Sequence, residues 1–204
     1  LRPRLAPMPV AHGYLEFAQP ILRDLLVEFQ NACTASIRRF DGFVARYLGD
    51  GNMSYFGYPR AHEDDPERAV LAGLATVRAV ERINEGIGSE IGEYVAVRVT
   101  IATGPVVVGD LIGEGASEES AVIGQTPNLA ARLQKVTPFN SVVISSFTHD
   151  LCGARFDCVD LGAHEAKGFS KPVNAWRVTG ESVTQSRFEA RRGARTTPIL
   201  GRRQ

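Results

Sequence analysis

The stretch FVARYLGDGNMSYFGYPRAHEDDPERAV, residues 43–70, contains the strongest local signals in this sequence. Two runs rich in aromatic and apolar residues, 43–48 and 52–56, stand on either side of Gly49-Asp50-Gly51. An Asp-Gly pair between two such runs is typical of a tight β-hairpin. The stretch therefore predicts two antiparallel strands with Asp50 at their tip.

The end of the same stretch has the composition of a helix start. Asp65 can act as the N-cap, Pro66 suits the first helical position, and Glu67 complements the helix dipole. We therefore predict a helix over residues 66–84. The acidic run that precedes it is interpreted as a capping segment and not as a metal cluster.

Apolar periodicity extends this pattern in both directions. Further helices are predicted at 20–40 and 126–136, with a short one near 147–151, and further strands at 95–102, 106–108, 120–123, 142–144, 156–161 and 173–178. Helices that alternate with antiparallel strands predict an α+β fold of the ferredoxin-like kind. We expect an irregular segment at 1–19, one domain at 20–180, and a polar, Arg-rich linker or tail at 181–204.

Composition limits the classes of function. The 204 residues carry a formal net charge of zero, which argues against a general nucleic-acid binder. No run approaches the roughly 20 apolar residues of a membrane helix. We therefore expect no membrane partner. Three cysteines without CxxC spacing indicate reduced thiols in a cytoplasmic protein.

Two sets of polar residues could carry chemistry. Asp50 is either a turn residue that satisfies its own backbone or a ligand for a hard cation. Asn128 and Arg132 lie four positions apart on a predicted helix and so share a face. That face is either solvated or directed at a ribose and a phosphate, because a guanidinium suits charge that develops on phosphate oxygens.

Four segments resemble the class III adenylate/guanylate cyclase family, in the right order and spacing. Residues 43–70 resemble its metal-binding hairpin and the following helix, and VRVTIATGPVVVGDLIGEG (97–115) resembles its next hairpin. AVIGQTPNLAARLQ (121–134) resembles its signature helix entry, and LGAHEAKGFSKPVNAWRV (161–178) its C-terminal strand pair. Within this family, the sequences of these segments most resemble those of bacterial members that are similar to bicarbonate-responsive soluble adenylyl cyclase.

The resemblance implies a reaction and a set of site residues. Such enzymes convert ATP to cyclic AMP and pyrophosphate with Mg²⁺ or Mn²⁺, at sites shared between two catalytic domains of a homodimer or heterodimer. Asp50 matches a metal ligand, Asn128 the residue that orients the ribose, and Arg132 the residue that stabilises the pentavalent phosphate. Lys167 falls near the lysine that binds the terminal phosphates, although a solvated loop lysine is the alternative for it.

The sequence also departs from the family pattern. The other metal-binding aspartate should lie near Ala6, but no acidic residue precedes Glu16. The base-reading positions are Arg46 and Ala121, and an alanine side chain accepts no hydrogen bond from adenine, so Gln125 or backbone atoms must read the base. We therefore expect weak or absent activity, or a degenerate domain that serves as a dimerisation or regulatory module or is a gene fragment. The tail resembles the junction into an ATPase regulatory module.

Overall fold

The computed structural model describes residues 15–48, 51–88, 94–110, 120–123, 125–164 and 172–183. Its α-helices are α1 (Leu15–Arg39), α2 (Asp65–Ile83), α3 (Gln125–Leu133) and α4 (Ser146–Cys152). Its strands are β1 (Phe43–Leu48), β2 (Gly51–Tyr55), β3 (Arg98–Ile101), β4 (Val107–Asp110), β5 (Ser120–Ile123), β6 (Ser141–Ser145), β7 (Phe156–His164) and β8 (Val173–Glu181). The predicted α+β class is confirmed, with helices packed on antiparallel-rich sheets.

Most of the strand pairing is local and antiparallel. β1 pairs with β2, β4 with β5, and β7 with β8. The order of the largest sheet is β3-β6-β8-β7, in which β3 and β6 are parallel. This corrects one prediction, because residues 97–115 were expected to form a hairpin. Instead, β3 pairs with β6, and β4 pairs with β5. A parallel pair such as β3 and β6 needs a crossover connection, and α3 is part of the chain between those two strands.

The helices cover both faces of the largest sheet. On one face, Val70 and Val77 of α2 pack with Val142 and Ile144 of β6. On the other face, Leu133 of α3 packs with Val143 and Ala175. Consecutive strand residues point to opposite faces, so neighbours on β6 serve different cores.

A third group of buried apolar residues lies between α1 and α2. Leu25, Phe29 and Cys33 of α1 pack against Val80 and Ile83 of α2. These three residues recur every four positions, which is the spacing of one helical face. α1 and α2 therefore form one layer over the sheet region.

The helix ends differ from the predictions. α1 begins at Leu15 and not at Pro20, so residues 15–19 are helical and not irregular. Pro20 removes one backbone donor and crowds the preceding turn, which destabilises a helix but does not always end it. α2 begins at Asp65, so Asp64 occupies the N-cap position that was assigned to Asp65. The Asp65 carboxylate accepts a hydrogen bond from the His62 backbone N–H at 2.7 Å, outside the helix.

The third helix is shorter than predicted. It ends at Leu133 and not near residue 136. The next residues form tighter turns, in which Lys135 N–H donates to Arg132 C=O and Val136 N–H to Leu133 C=O. Pro138 follows and cannot continue a helix. In the part of the chain described, no helix is long and apolar enough to cross a membrane.

Candidate active site

The hairpin that carries Asp50 has a fixed register. β1 and β2 pair from Phe43–Tyr55 to Leu48–Gly51, with an irregularity between Val44 and Arg46. Two residues, Gly49 and Asp50, connect the paired ends, and both lie outside the described residues. The predicted hairpin is thus confirmed, whereas the role of Asp50 stays a prediction.

Polar contacts tie this hairpin to both neighbouring helices. The Tyr47 hydroxyl on β1 lies 3.0 Å from the Thr34 hydroxyl on α1. The Arg68 guanidinium on α2 forms ion pairs with Asp41, in the turn before β1, and with Asp64, at 2.9 Å. The hydrogen bond to Asp64 contributes most to raising the pKa of Arg68. These contacts hold the base of the hairpin against α1 and α2.

Arg46 lies on β1 near the phenol of Tyr55 on β2. Arg46 is paired with Met53, so Tyr55 is its diagonal neighbour, within reach of a long side chain. Burial raises the pKa of Tyr55, and the positive charge of Arg46 partly opposes that shift. The Tyr55 hydroxyl is buried and has no hydrogen-bond partner among the described residues. Sequence analysis missed Tyr55, because its proximity to Arg46 depends on the irregular register.

Asn128 and Arg132 share one side of α3, as their spacing predicted. Asn128 is exposed and Arg132 is half-buried. Leu133 is 3% exposed, and Leu129 packs against the same core, so the apolar residues of α3 fix the helix on the sheet. An amide and a guanidinium are therefore presented by a helix that is anchored through other residues.

A hydrogen bond joins the N-terminus of α3 to the loop after β3. The Thr126 hydroxyl donates to the Pro105 carbonyl at 3.1 Å. A Cβ atom on Gly104 would lie 2.5 Å from the Thr126 hydroxyl oxygen, so a larger residue there would force Thr126 or the loop to shift. Thr126 was also missed, although Gly104-Pro105 after a β-rich run marks a tight bend. Gln125, beside it, is exposed.

The remaining predicted residues are only partly placed. Ala121 lies on β5 opposite Gly109. Lys167 lies outside the described residues. Among the residues that the structure describes, no group of three or more His, Cys, Asp or Glu side chains could hold a metal ion. In residues 62–65, Asp64 occupies the N-cap position of α2, but its side chain makes no capping hydrogen bond.

Two of the three cysteines lie in the core. Cys33 and Cys152 are buried, and Cys158 is half-buried. Burial raises the pKa of Cys33 to about 11 and that of Cys152 to about 12. The two buried thiols are therefore protonated at neutral pH, as expected of small hydrophobic residues in a core.

Known proteins agree with this architecture. Residues 19–180 match the family model of the adenylate and guanylate cyclase catalytic domain. An uncharacterized protein of Rhizobium meliloti (strain 1021) is 34% identical over 168 residues, which is 82% of this chain. The chain spans only 16% of the length of that relative.

Two solved structures share the fold over most of their length. The adenylyl cyclase CyaB from P. aeruginosa has a TM-score of 0.75 and 26% identity, with 86% of this chain and 92% of that chain covered. The guanylyl cyclase Cya2 has a TM-score of 0.74 and 26% identity, with 86% and 90% covered. Because the family model covers most of the chain, this chain belongs to the adenylate and guanylate cyclase catalytic domain family.

Proposed function

We propose that the chain is a class III nucleotide cyclase that converts ATP to 3′,5′-cyclic AMP and pyrophosphate. The observation that carries this proposal is the pair Asn128 and Arg132 on one side of α3, on a helix that Leu133 fixes in the core. Their positions match the family's signature helix. In this reaction the ribose 3′-oxygen attacks the α-phosphorus, the bond from that phosphorus to the bridging oxygen breaks, and pyrophosphate leaves.

Arg132 and Asn128 have separate roles in this proposal. The Arg132 guanidinium stabilises negative charge that develops on the α-phosphate oxygens in the transition state. The Asn128 amide holds the ribose so that its 3′-oxygen faces the phosphorus, which lowers the entropic part of the barrier. Lys167 contacts the terminal phosphates and would stabilise the leaving pyrophosphate.

A divalent cation, Mg²⁺ or Mn²⁺, fits the available donors only with help from the substrate. The described residues hold no cluster of three metal-binding side chains, and Asp50 is the one carboxylate at the hairpin tip. Mg²⁺ is commonly bound by one or two carboxylates together with substrate phosphates. Bound there, the cation would neutralise phosphate charge and lower the pKa of the 3′-hydroxyl. With a single carboxylate we expect a low rate.

In this proposal, the residues that distinguish adenine from guanine in the bound nucleotide are Arg46, Ala121 and Gln125. Arg46 has a hydrogen-bond donor but no acceptor, and the methyl group of Ala121 has neither. The exposed Gln125 side chain carries both and can read the amino group and a ring nitrogen of adenine. We propose ATP over GTP on this ground and because the sequence resembles bacterial members that are similar to soluble adenylyl cyclase; the solved structures do not decide between the two nucleotides, since CyaB is an adenylyl cyclase and Cya2 a guanylyl cyclase.

The proposed site forms between two copies of the domain. Asp50 of one copy and Asn128 and Arg132 of the other would enclose one nucleotide, in a homodimer or in a heterodimer with another cyclase domain. Because this chain spans 16% of the relative's length, regulation by an ATPase module in a longer protein is part of the same proposal.

The proposal is tested by incubating the purified chain with ATP and Mn²⁺ and measuring cyclic AMP. We expect product that Asp50→Ala and Arg132→Ala each reduce by at least about 10²-fold, as found when a transition-state charge partner is removed. Lys135→Ala is the matched control, since Lys135 is an exposed cation just after the same helix. Equal product from the parent chain and Asp50→Ala would contradict the proposal.

A second candidate is a degenerate domain that completes the site of an intact cyclase. It is favoured by Ala6, which stands where the family pattern places the other metal-binding aspartate, and Asp24 and Glu28 do not replace that aspartate because both lie on the exposed side of α1. The test mixes this chain with an intact cyclase whose own Asn and Arg are substituted. Recovery of activity in the mixture, with none from this chain alone, would favour this role over the first.

A further inference from the structure

Three hydroxyl groups form a chain of contacts between the middle of the largest sheet and the loop after β3. The hydroxyl oxygens of Ser145 and Thr148 lie 3.0 Å apart, and those of Thr148 and Thr103 also lie 3.0 Å apart. Ser145 ends β6, Thr148 lies on α4, and Thr103 follows β3. Because Thr103 and Thr148 are 45 positions apart in sequence, their contact is part of the tertiary structure and not a local cap.

The two residues at the sheet end of this chain are buried. Ser145 is 2% exposed and Thr148 is fully buried, on and beside an inner strand that lies between β3 and β8. The Ser145 hydroxyl also accepts a hydrogen bond from the Thr148 backbone N–H, which caps α4. A hydroxyl can donate one hydrogen bond and accept others, so the Thr148 hydroxyl donates to one neighbour and accepts from the other. Both buried hydroxyls are therefore satisfied and held in place.

The hydroxyl contacts continue where the backbone pairing of β3 with β6 stops. The last paired residues of these strands are Ile101 and Ile144. Ser145 directly follows on β6, whereas Thr103 lies two residues beyond Ile101, in a segment without regular secondary structure. Thr103 thus attaches the loop to the sheet by its side chain, after the backbone has left the ladder of hydrogen bonds.

The same loop holds the start of α3. Two residues after Thr103, the Pro105 carbonyl accepts the hydrogen bond from the Thr126 hydroxyl at 3.1 Å. Among the nine residues of α3, all of them described, Leu133 alone is buried, and it is the last residue of the helix. Asn128 lies nearer the other end. Its placement therefore depends on the loop as well as on the core.

We propose that Thr103 is a positioning residue for the cyclase reaction. Its hydroxyl contact with Thr148 fixes the loop, the loop fixes the start of α3, and α3 presents the Asn128 amide. The inference rests on the proposed function, in which that amide orients the ribose. Misplacement of such a group by about 1 Å can cost about 10²-fold in rate. Thr103 acts through the loop, so its loss should cost less.

Thr103→Val and Thr103→Ser separate the hydroxyl from the rest of the side chain. Valine keeps the shape without the hydroxyl, and serine keeps the hydroxyl. In both variants the Thr148 hydroxyl retains Ser145 as a partner, so no buried hydroxyl is left unpaired and the chain should fold. With ATP and Mn²⁺, we expect Thr103→Val to lower kcat at least about fivefold with KM within about twofold, because misorientation slows the reaction step more than it weakens binding. Thr103→Ser should restore kcat to within about twofold of the parent value.

Thr179→Val is the matched control. The Thr179 hydroxyl donates to the Asp157 carbonyl at 3.0 Å, between β8 and β7, and β7 is at the opposite end of the sheet from β3. This variant also loses one threonine hydrogen bond, but far from α3, and should keep the parent kcat. An equal fall of kcat in Thr179→Val, a fall in Thr103→Val that serine does not restore, or an unchanged kcat in Thr103→Val would each overturn the proposal.

Hydrogen exchange tests the same inference without substrate. A parent chain that makes no cyclic AMP would reject the proposed function, but it would leave the effect of Thr103 on α3 measurable. Mass spectrometry of a peptide that covers residues 125–133 should show exchange at least about fivefold faster in Thr103→Val than in the parent chain and in Thr179→Val. Exchange in residues 65–83, which form α2, should be unchanged. Equal exchange of residues 125–133 in all three chains would overturn the inference whether or not the chain is active.

Discussion

Arg132 supplies two properties to the proposed reaction: a positive charge and a planar set of donors. Arg132→Lys keeps the charge but removes the fork that matches two phosphate oxygens. We predict that kcat falls by about 10–10²-fold while KM for ATP changes little, because the contact is made mainly in the transition state. Steady-state kinetics of cyclic AMP formation measure this. A rise in KM at unchanged kcat would show that Arg132 only binds substrate.

Asn128 and Arg132 could be placed together from sequence because their spacing alone puts them on one helical face. The neighbourhood of Arg46 could not be predicted in the same way. Its closeness to Tyr55 depends on an irregularity between Val44 and Arg46, which shifts the register by one residue. Such a shift leaves no mark in composition or periodicity.

The two buried thiols predict how stability depends on alkaline pH. Burial raises the pKa of Cys33 from 9.0 to about 11 and that of Cys152 from 9.0 to about 12. Above pH 9 these thiols ionise first in the unfolded chain, so the free energy of unfolding decreases as the pH rises from 9 toward the folded-state pKa values. Below pH 9 the contribution is fully present.

Urea unfolding at pH 8 and pH 10.5, under reducing conditions, measures this loss. We predict that Cys33→Ala lowers stability at both pH values but shows a smaller decline between them than the parent chain. Ser36→Ala is the matched control, since Ser36 is another small buried polar residue of α1 that does not titrate. The same decline in Cys33→Ala and in the parent would exclude the thiol as the cause.

At the scale of elements, the loop after β3 fixes where α3 begins. Gly104→Ala would place a methyl group 2.5 Å from the Thr126 hydroxyl oxygen and push the helix start away from Pro105. We predict a fold that is retained and an activity at least about tenfold lower, because small misplacement of positioning groups is costly. Circular dichroism and cyclic AMP formation separate the two effects.

Gly180→Ala is the control for that substitution, because nothing lies within 4 Å of the added Cβ. Thr126→Ala removes the atom that Gly104→Ala would contact. The double variant should therefore lose less activity than the product of the two single losses, a coupling that a double-mutant cycle quantifies. Purely additive losses would mean that the steric conflict is not what displaces α3.

The elements differ in how far sequence determines them. The β1–β2 hairpin was predictable because a local Asp-Gly signal specifies it. The partner of β3 was not, because β6 lies about forty residues further along the chain and parallel pairing has no local signal. The start of α1 was predicted at Pro20, which is too late, because a proline is typical of the first turn of a helix. No local signal indicates that this helix begins earlier, at Leu15.

For the molecule as a whole, the proposed site depends on two copies of the domain, and mixing inactive variants tests this. Asp50→Ala and Arg132→Ala homodimers each lack one member at both sites. In an equal mixture about half of the dimers are heterodimers. Each heterodimer joins the intact Asp50 of one chain to the intact Arg132 of the other at one of its two sites. We therefore predict about a quarter of the parent activity in the mixture. The two variants are denatured and refolded together, so that heterodimers form even if native dimers do not exchange subunits. If both residues acted within one chain, mixing would restore no activity.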